Sequence, residues 1–156
     1  MGLNGIESAL DSMVLEIEIK ISQGVNLIIL SDKGVSASLA PIPVLLATSH
    51  VQNYFKRLKK RSQFGIIIES AEPREPHHFA LLFGYGASAI NPYMVNEIIS
   101  HQVKNKVIQN ISVEKAIDNF NKAIAKGIVK IMNLSLIHIS EPTRPLYISY
   151  AVFCLK

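Results

Sequence analysis

The sequence predicts an α/β fold: a partial parallel sheet made of successive βα units, an incomplete barrel-like domain. Three observations carry this expectation. Amphipathic helical stretches alternate with short runs of branched apolar residues, the order that produces parallel strands joined by right-handed crossovers. The apolar runs lack polar alternation, as strands buried on both faces do. Only three such runs occur, and a closed barrel needs about eight. The length of 156 residues amounts to about one domain. With 49% hydrophobic and 18% charged residues, the chain has the composition of a buried core rather than of a disordered segment.

The first helix is expected from about Ser8 to Gln23, where Leu10, Met13, Val14, Ile17 and Ile21 recur at steps of three and four. Gly24 is placed to end it in the left-handed conformation. Val25–Asp32 reads as the first strand. Pro41 and Pro43 forbid regular structure in the loop that follows. A helix is expected over Val44 to about Lys60, and a second strand over Phe64–Ser70. After the turn-rich "AEPREP", His77–Phe83 forms a short helix closed by Gly84 and Gly86. A third short strand ends at Asn91, and a helix runs from Tyr93 to about Val103. Ser112 caps a last helix from Val113 to about Met132, in which Gly127 costs about 1 kcal/mol relative to alanine.

Composition excludes several classes of function. The net charge is only +4. The cluster Lys56, Arg57, Lys59, Lys60 and Arg61 reads as a solvated helix end, where cations complement the helix dipole. A nucleic-acid binder would show a larger basic patch or a known motif, so no nucleic-acid partner is expected. Cys154 is the single cysteine; alone it builds neither a disulfide framework nor a thiolate metal site. No apolar run reaches membrane-spanning length, and no basic-then-apolar leader begins the chain. The expectation is a cytoplasmic protein without a membrane partner.

Chemistry in a parallel α/β fold gathers at the carboxyl ends of the strands. The three strands deliver Ser31 and Asp32, Glu69 and Ser70, and Asn91 to that edge. Arg74, His77 and His78 lie in the loop after the second strand. These eight residues form the candidate strand-end surface, and Asp32 with Glu69 is a candidate carboxylate pair for acid–base work. No catalytic, metal or cofactor-binding residue is assigned. His77 and His78 are adjacent, so they point about 100° apart on a helix and cannot share an ion; they read as cap or packing residues. Gly84-Tyr85-Gly86 follows a helix and precedes a strand, the reverse of a dinucleotide loop.

Three long phrases carry a family resemblance: "GVNLIILSDKGVSASLAPIPVLLATSHV" (Gly24–Val51), "ESAEPREPHHFALLFGYGASAINPYMVNE" (Glu69–Glu97) and "NFNKAIAKGIVKIMN" (Asn119–Asn133). Together they resemble the large subunit of glutamate synthase. The family pattern reads approximately Ser-Asp-Arg, Ala-Pro-Ile-Pro-x-Leu-Leu-Ala, Arg-Glu-x-His-His-Phe-Ala and Gly-Tyr-Gly-Ala, and the likeness covers about residues 7 to 133. Lys33 departs from it by replacing the usual arginine, losing a planar fork of donors.

The resemblance implies the central region leading toward the FMN-binding synthase domain. In such an oxidoreductase an amidotransferase domain releases ammonia from glutamine. The ammonia passes through an internal tunnel and is captured with 2-oxoglutarate. Reduced FMN, fed through an iron–sulfur cluster by an electron-donor subunit or ferredoxin, completes glutamate. By the same resemblance the central region links the two sites and helps enclose the route, and residues 1–133 are a fragment of it, inactive alone. The alternative from the residues themselves is a stand-alone small α/β domain that binds an anion at the strand ends.

The tail, Leu134–Lys156, follows none of these patterns. "LSLIHISEPTR" and "ISYAVFCL" back-translate in one reading frame to the two ends of a transposase-type sequencing-library adaptor. Pro145, Leu146 and Tyr147 fill the place of its barcode. The expectation is translated adaptor, which is excluded from fold reasoning.

Overall fold

The computed structural model describes residues 3–36 and 39–139. Along the chain the elements are α1 (Leu3–Ser22), β1 (Leu27–Ser31), α2 (Val44–Arg57), a single 3-10 turn (Arg61–Gln63), β2 (Gly65–Glu69), α3 (Pro76–Gly84), β3 (Ala89–Asn91), α4 (Tyr93–Lys104) and α5 (Val113–Ile139). All eight predicted elements are present in the predicted order. The tail reading begins at Leu134, and α5 continues past it to Ile139. No glycine or proline stands between Asn133 and Ile139 to end the helix. The rest of that tail, residues 140–156, lies outside the described residues.

The sheet has the order β1-β2-β3, and both pairings are parallel. The register aligns Ile29 with Ile67 and Ala89, and Ser31 with Glu69 and Asn91. Side chains alternate along a strand, so these two rows share one face and Ile28, Ile66 and Ile68 point to the other. That second face is the core. Val14 and Ile17 of α1, Val44, Val51 and Phe55 of α2, and Leu82 of α3 pack on it. Phe55 stacks edge-on against Tyr54 and Phe64 with centroids 5.1 and 5.0 Å apart. Each such pair contributes about 0.5–1.5 kcal/mol beyond its buried area.

Both crossover helices, α2 and α3, therefore lie on the same side of the sheet. A doubly wound sheet would carry helices on both faces, whereas a barrel wall carries them only outside. The opposite face is bare: Leu27 is 58% and Ile29 62% exposed. The expectation that every strand is buried on both faces is thus corrected for β1. Its unbroken apolar run reflects one face packed by helices and another left bare among the described residues.

Four helices end in the same way. In α1 the Gly24 amide donates to the Ile21 carbonyl at 2.9 Å and the Val25 amide to that of Lys20 at 3.1 Å. This double closure needs a left-handed residue, and Gly24 has φ +89°. The same pair of bonds closes α2 at Lys59, α3 at Gly86 and α4 at Lys106. Lys59 and Lys106 thus take φ 57° and 58°, a conformation that costs a residue with a side chain.

Of the basic cluster, two members are structural. Lys60 Nζ lies 2.7 Å from Glu18 Oε1, tying the end of α2 to α1. Arg61 donates to the carbonyls of Phe64 at 2.7 Å and Gly86 at 2.5 Å, and to the side chain of Gln52. Desolvation of this guanidinium lowers its pKa from the usual range. It fastens α2, the approach to β2 and the approach to β3 at one point.

Candidate functional site

The aligned residues Ser31, Glu69 and Asn91 form a polar row at the carboxyl end of the open sheet face. Glu69 is its centre. Ser31 Oγ donates to Oε2 at 2.8 Å, and Asn91 Nδ2 donates to Oε1 at 3.2 Å. Lys33 Nζ reaches the same Oε1 at 2.9 Å and stands 5.0 Å from the centroid of the Tyr93 ring. The Lys33 ammonium, then the Ser31 hydroxyl, hold the Glu69 carboxyl below its ordinary pKa against a smaller opposing effect of desolvation.

Asp32 belongs to a second network, behind that row. It accepts from Ser70 Oγ at 2.6 Å and from the Ala71 amide, which approaches its two oxygens at 3.2 and 3.0 Å. Interaction with the Asp32 carboxylate is the leading cause that raises the Tyr93 phenol above its ordinary pKa. Ser70, fully buried, accepts in turn from the Glu72 amide at 3.1 Å. Glu72 Oε1 accepts the Val44 amide at 3.1 Å and so caps α2, whose flanking Pro43 provides no side-chain cap. The candidate pair Asp32 and Glu69 is therefore divided between two networks, each carboxylate with its own donors.

The remaining candidates stand one loop later. The Arg74 amide donates to His78 Nδ1 at 3.2 Å, so His78 closes the turn into α3. Pro76 occupies the first turn of α3, where its missing N–H is not needed. Arg74 and His77 are exposed and share none of the hydrogen bonds of the row. A cleft of about 390 Å³ opens beside the end of β1, lined by Met13, Leu30, Lys33, Val35, Ile42 and Ala47 among others.

Sequence reasoning missed Tyr93, Lys33 and Glu72 as members of the edge. Tyr93 had a signal, since it stands two residues after the last strand residue at the start of a helix. Glu72 had none, because its role depends on a contact 28 residues back along the chain.

Among the described residues, neither the metal-ligand types nor the turn at Gly86 fits the groups that the family likeness implies. An iron–sulfur cluster needs thiolates, and the chain's one cysteine, Cys154, lies outside the described residues. Among the described residues no three His, Cys, Asp or Glu side chains gather as metal ligands. A flavin phosphate favours free amides at a strand-to-helix turn. Gly86 instead sits at the end of α3, and its amide is spent on the Phe83 carbonyl. No described helix is long and apolar enough to cross a membrane.

Comparison with known proteins places these features. Residues 1–141 match the family described as the glutamate synthase central domain. The large chain of an NADPH glutamate synthase from Bacillus subtilis is 44% identical over 128 residues, 82% of this chain and 8% of the relative. An NADH glutamate synthase from Schizosaccharomyces pombe is 34% identical over 133 residues, 85% of this chain and 6% of the relative. A ferredoxin-dependent glutamate synthase from Synechocystis is 31% identical over 145 residues, 85% of this chain and 9% of the relative. The chain thus spans less than a tenth of the length of these relatives.

Proposed function

The chain belongs to the glutamate synthase central-domain family, and from that premise we propose that residues 1–133 are the part of a large chain that joins its amidotransferase and synthase domains. In this reading the whole large chain makes glutamate from glutamine and 2-oxoglutarate in the cytoplasm. FMN and an iron–sulfur cluster are held elsewhere in it, and electrons come from a donor subunit or from ferredoxin. This segment holds no catalytic centre; its open sheet face lines part of the passage between the two sites. The candidate surface is Ser31, Glu69 and Asn91, with Asp32 and Ser70 behind them and Arg74, His77 and His78 in the next loop.

The observation that carries the proposal is the one-sided sheet. Helices cover one face, while Leu27 and Ile29 lie bare on the other. Apolar residues left bare in this way are the mark of a surface meant for further protein. The alternative anion-binding reading loses support from the same edge. It presents the carboxylates of Asp32 and Glu69, and the nearest cation, Lys33, is already paired.

The test is exchange within a complete large chain of a relative. Replacing the matching segment by residues 1–133 is expected to retain glutamine-driven glutamate synthesis. Deleting the segment is expected to leave glutamine hydrolysis but abolish that synthesis. Unchanged glutamate formation after the deletion would overturn the proposal.

The residues from Leu134 onward are proposed to be translated adaptor, on the strength of the two matches that share one frame. Sequencing the source locus tests this: genomic DNA encoding the tail without interruption refutes it.

A further inference from the structure

The sheet ends at β1, and the direction of its outer peptide groups follows from its inner ones. The Gly65 amide donates to the Asn26 carbonyl at 2.9 Å, and the Asp32 amide to the Glu69 carbonyl at 3.2 Å. The even-numbered residues along β1 therefore face β2. Peptide groups alternate in direction along a strand, so Leu27, Ile29 and Ser31 turn N–H and C=O outward, away from the sheet. Natural sheets protect such an edge with a charge, a proline or a bulge. From Val25 to Ser31 the sequence VNLIILS holds no charge and no proline, and the register with β2 runs without a break.

The two ends of this edge differ. Val25 and Leu27, at its start, are exposed apolar side chains. At its finish opens the cleft of about 390 Å³, lined by Ile29, Lys33, Val35, Leu39 and Ile42 among others. Apolar projections thus stand at one end of the strand, and a hollow with apolar walls stands at the other.

We propose that β1 is a self-association edge: two copies of this chain join their β1 strands antiparallel, about a two-fold axis through Ile29, into one continuous sheet. In that register Leu27 opposes Ser31 of the second copy, and Ile29 opposes its own equivalent. Each opposed pair turns its N–H and C=O toward the other, as hydrogen-bonded antiparallel pairs do. The antiparallel sense carries Val25 and Leu27 of each copy to the cleft end of the other. It also sets Asp32 and Lys33 opposite Asn26 and Val25, so no like charges meet. A parallel arrangement would set the charged ends side by side. A two-fold contact of this kind closes on itself and stops at a dimer. The pairing stands apart from any role of the segment within a large chain.

The test is oxidative cross-linking of the full chain carrying Cys154→Ser, with single cysteines placed along β1. Ile29→Cys is expected to form a disulfide-linked dimer, because opposed Cα atoms stand about 5.5 Å apart, inside the disulfide range. Leu27→Cys alone and Ser31→Cys alone are expected to give little, since each lies more than about 13 Å from its own equivalent. An equimolar mixture of those two variants is expected to cross-link. Absence of dimer from Ile29→Cys, or equal yields from the three single variants, overturns the proposal.

Sedimentation velocity of the full chain with Ile29→Pro gives a reading without new thiols. The Ile29 amide faces away from β2, so proline leaves the ladder intact while removing an outward N–H from each copy. The dissociation constant of the dimer is expected to rise about tenfold or more, the loss of that pair of hydrogen bonds. A parent chain that stays monomeric, or a variant whose constant equals the parent's, overturns the proposal.

Discussion

Gly127 of α5 faces Pro76 of α3 so closely that a methyl group on Gly127 would stand 2.6 Å from two carbons of the proline ring. The glycine that weakens the helix in sequence terms is what lets two helices meet. The Phe79 and Phe120 rings, 6.3 Å apart, complete the same contact. Gly127→Ala is therefore expected to destabilise by about 1–3 kcal/mol, the cost of overpacking, although alanine favours a helix by about 1 kcal/mol. Gly84→Ala is the control, since a methyl there meets nothing within 4 Å; it is expected to be neutral or stabilising. Denaturant unfolding of both variants checks the pair of signs.

Lys59 and Lys106 hold left-handed positions that glycine fills at Gly24 and Gly86. Relief of the side-chain clash exceeds the entropy that glycine adds to the unfolded chain. Lys59→Gly and Lys106→Gly are each expected to stabilise by about 0.5–1 kcal/mol. A lowered denaturation midpoint for both would show that these turns are held by something other than backbone closure.

Arg61 serves two carbonyls and Gln52 with one planar group. Arg61→Ala leaves those acceptors short of donors and is expected to cost about 2 kcal/mol. Arg61→Lys is expected to recover less than half of the loss, because one ammonium cannot span the fork. Thermal melts of the two variants distinguish a clamp from a simple surface charge.

Acid should weaken the fold through three carboxyls. Lys60 and then Tyr54 lower Glu18, Lys33 and then Ser31 lower Glu69, and Lys122 lowers Asp118. A carboxyl lowered in the folded state adds stability above its unfolded value, about 4. That stability is lost as pH falls through the lower folded value. The melting temperature is expected to fall as pH drops below about 4. Glu18→Gln is expected to flatten that dependence, and a slope identical to the parent's would contradict the assignment.

Which parts of this were legible in sequence follows from what is local. The stripe at Leu10, Val14 and Ile17, the stop at Gly24 and the cap at Ser112 are decided within a few residues, and they appear where expected. The strand-end row is legible because parallel order alone brings Ser31, Glu69 and Asn91 to one edge. What each does there is not. The division of Asp32 from Glu69, the capping of Val44 by Glu72 and the clamp at Arg61 all depend on contacts across the sheet. Nor does an apolar run such as "LIIL" reveal whether its second face is covered, since a strand awaiting a partner and a strand already packed have the same composition.

The central claim is that the bare face of the sheet is made for protein that this chain does not contain. Sedimentation velocity of purified residues 1–133 tests it most directly, with Ile29→Glu as the comparison. The account predicts self-association or precipitation of the unaltered segment, reduced by a charge at Ile29. A soluble monomer that melts cooperatively and gains nothing from that charge would contradict it.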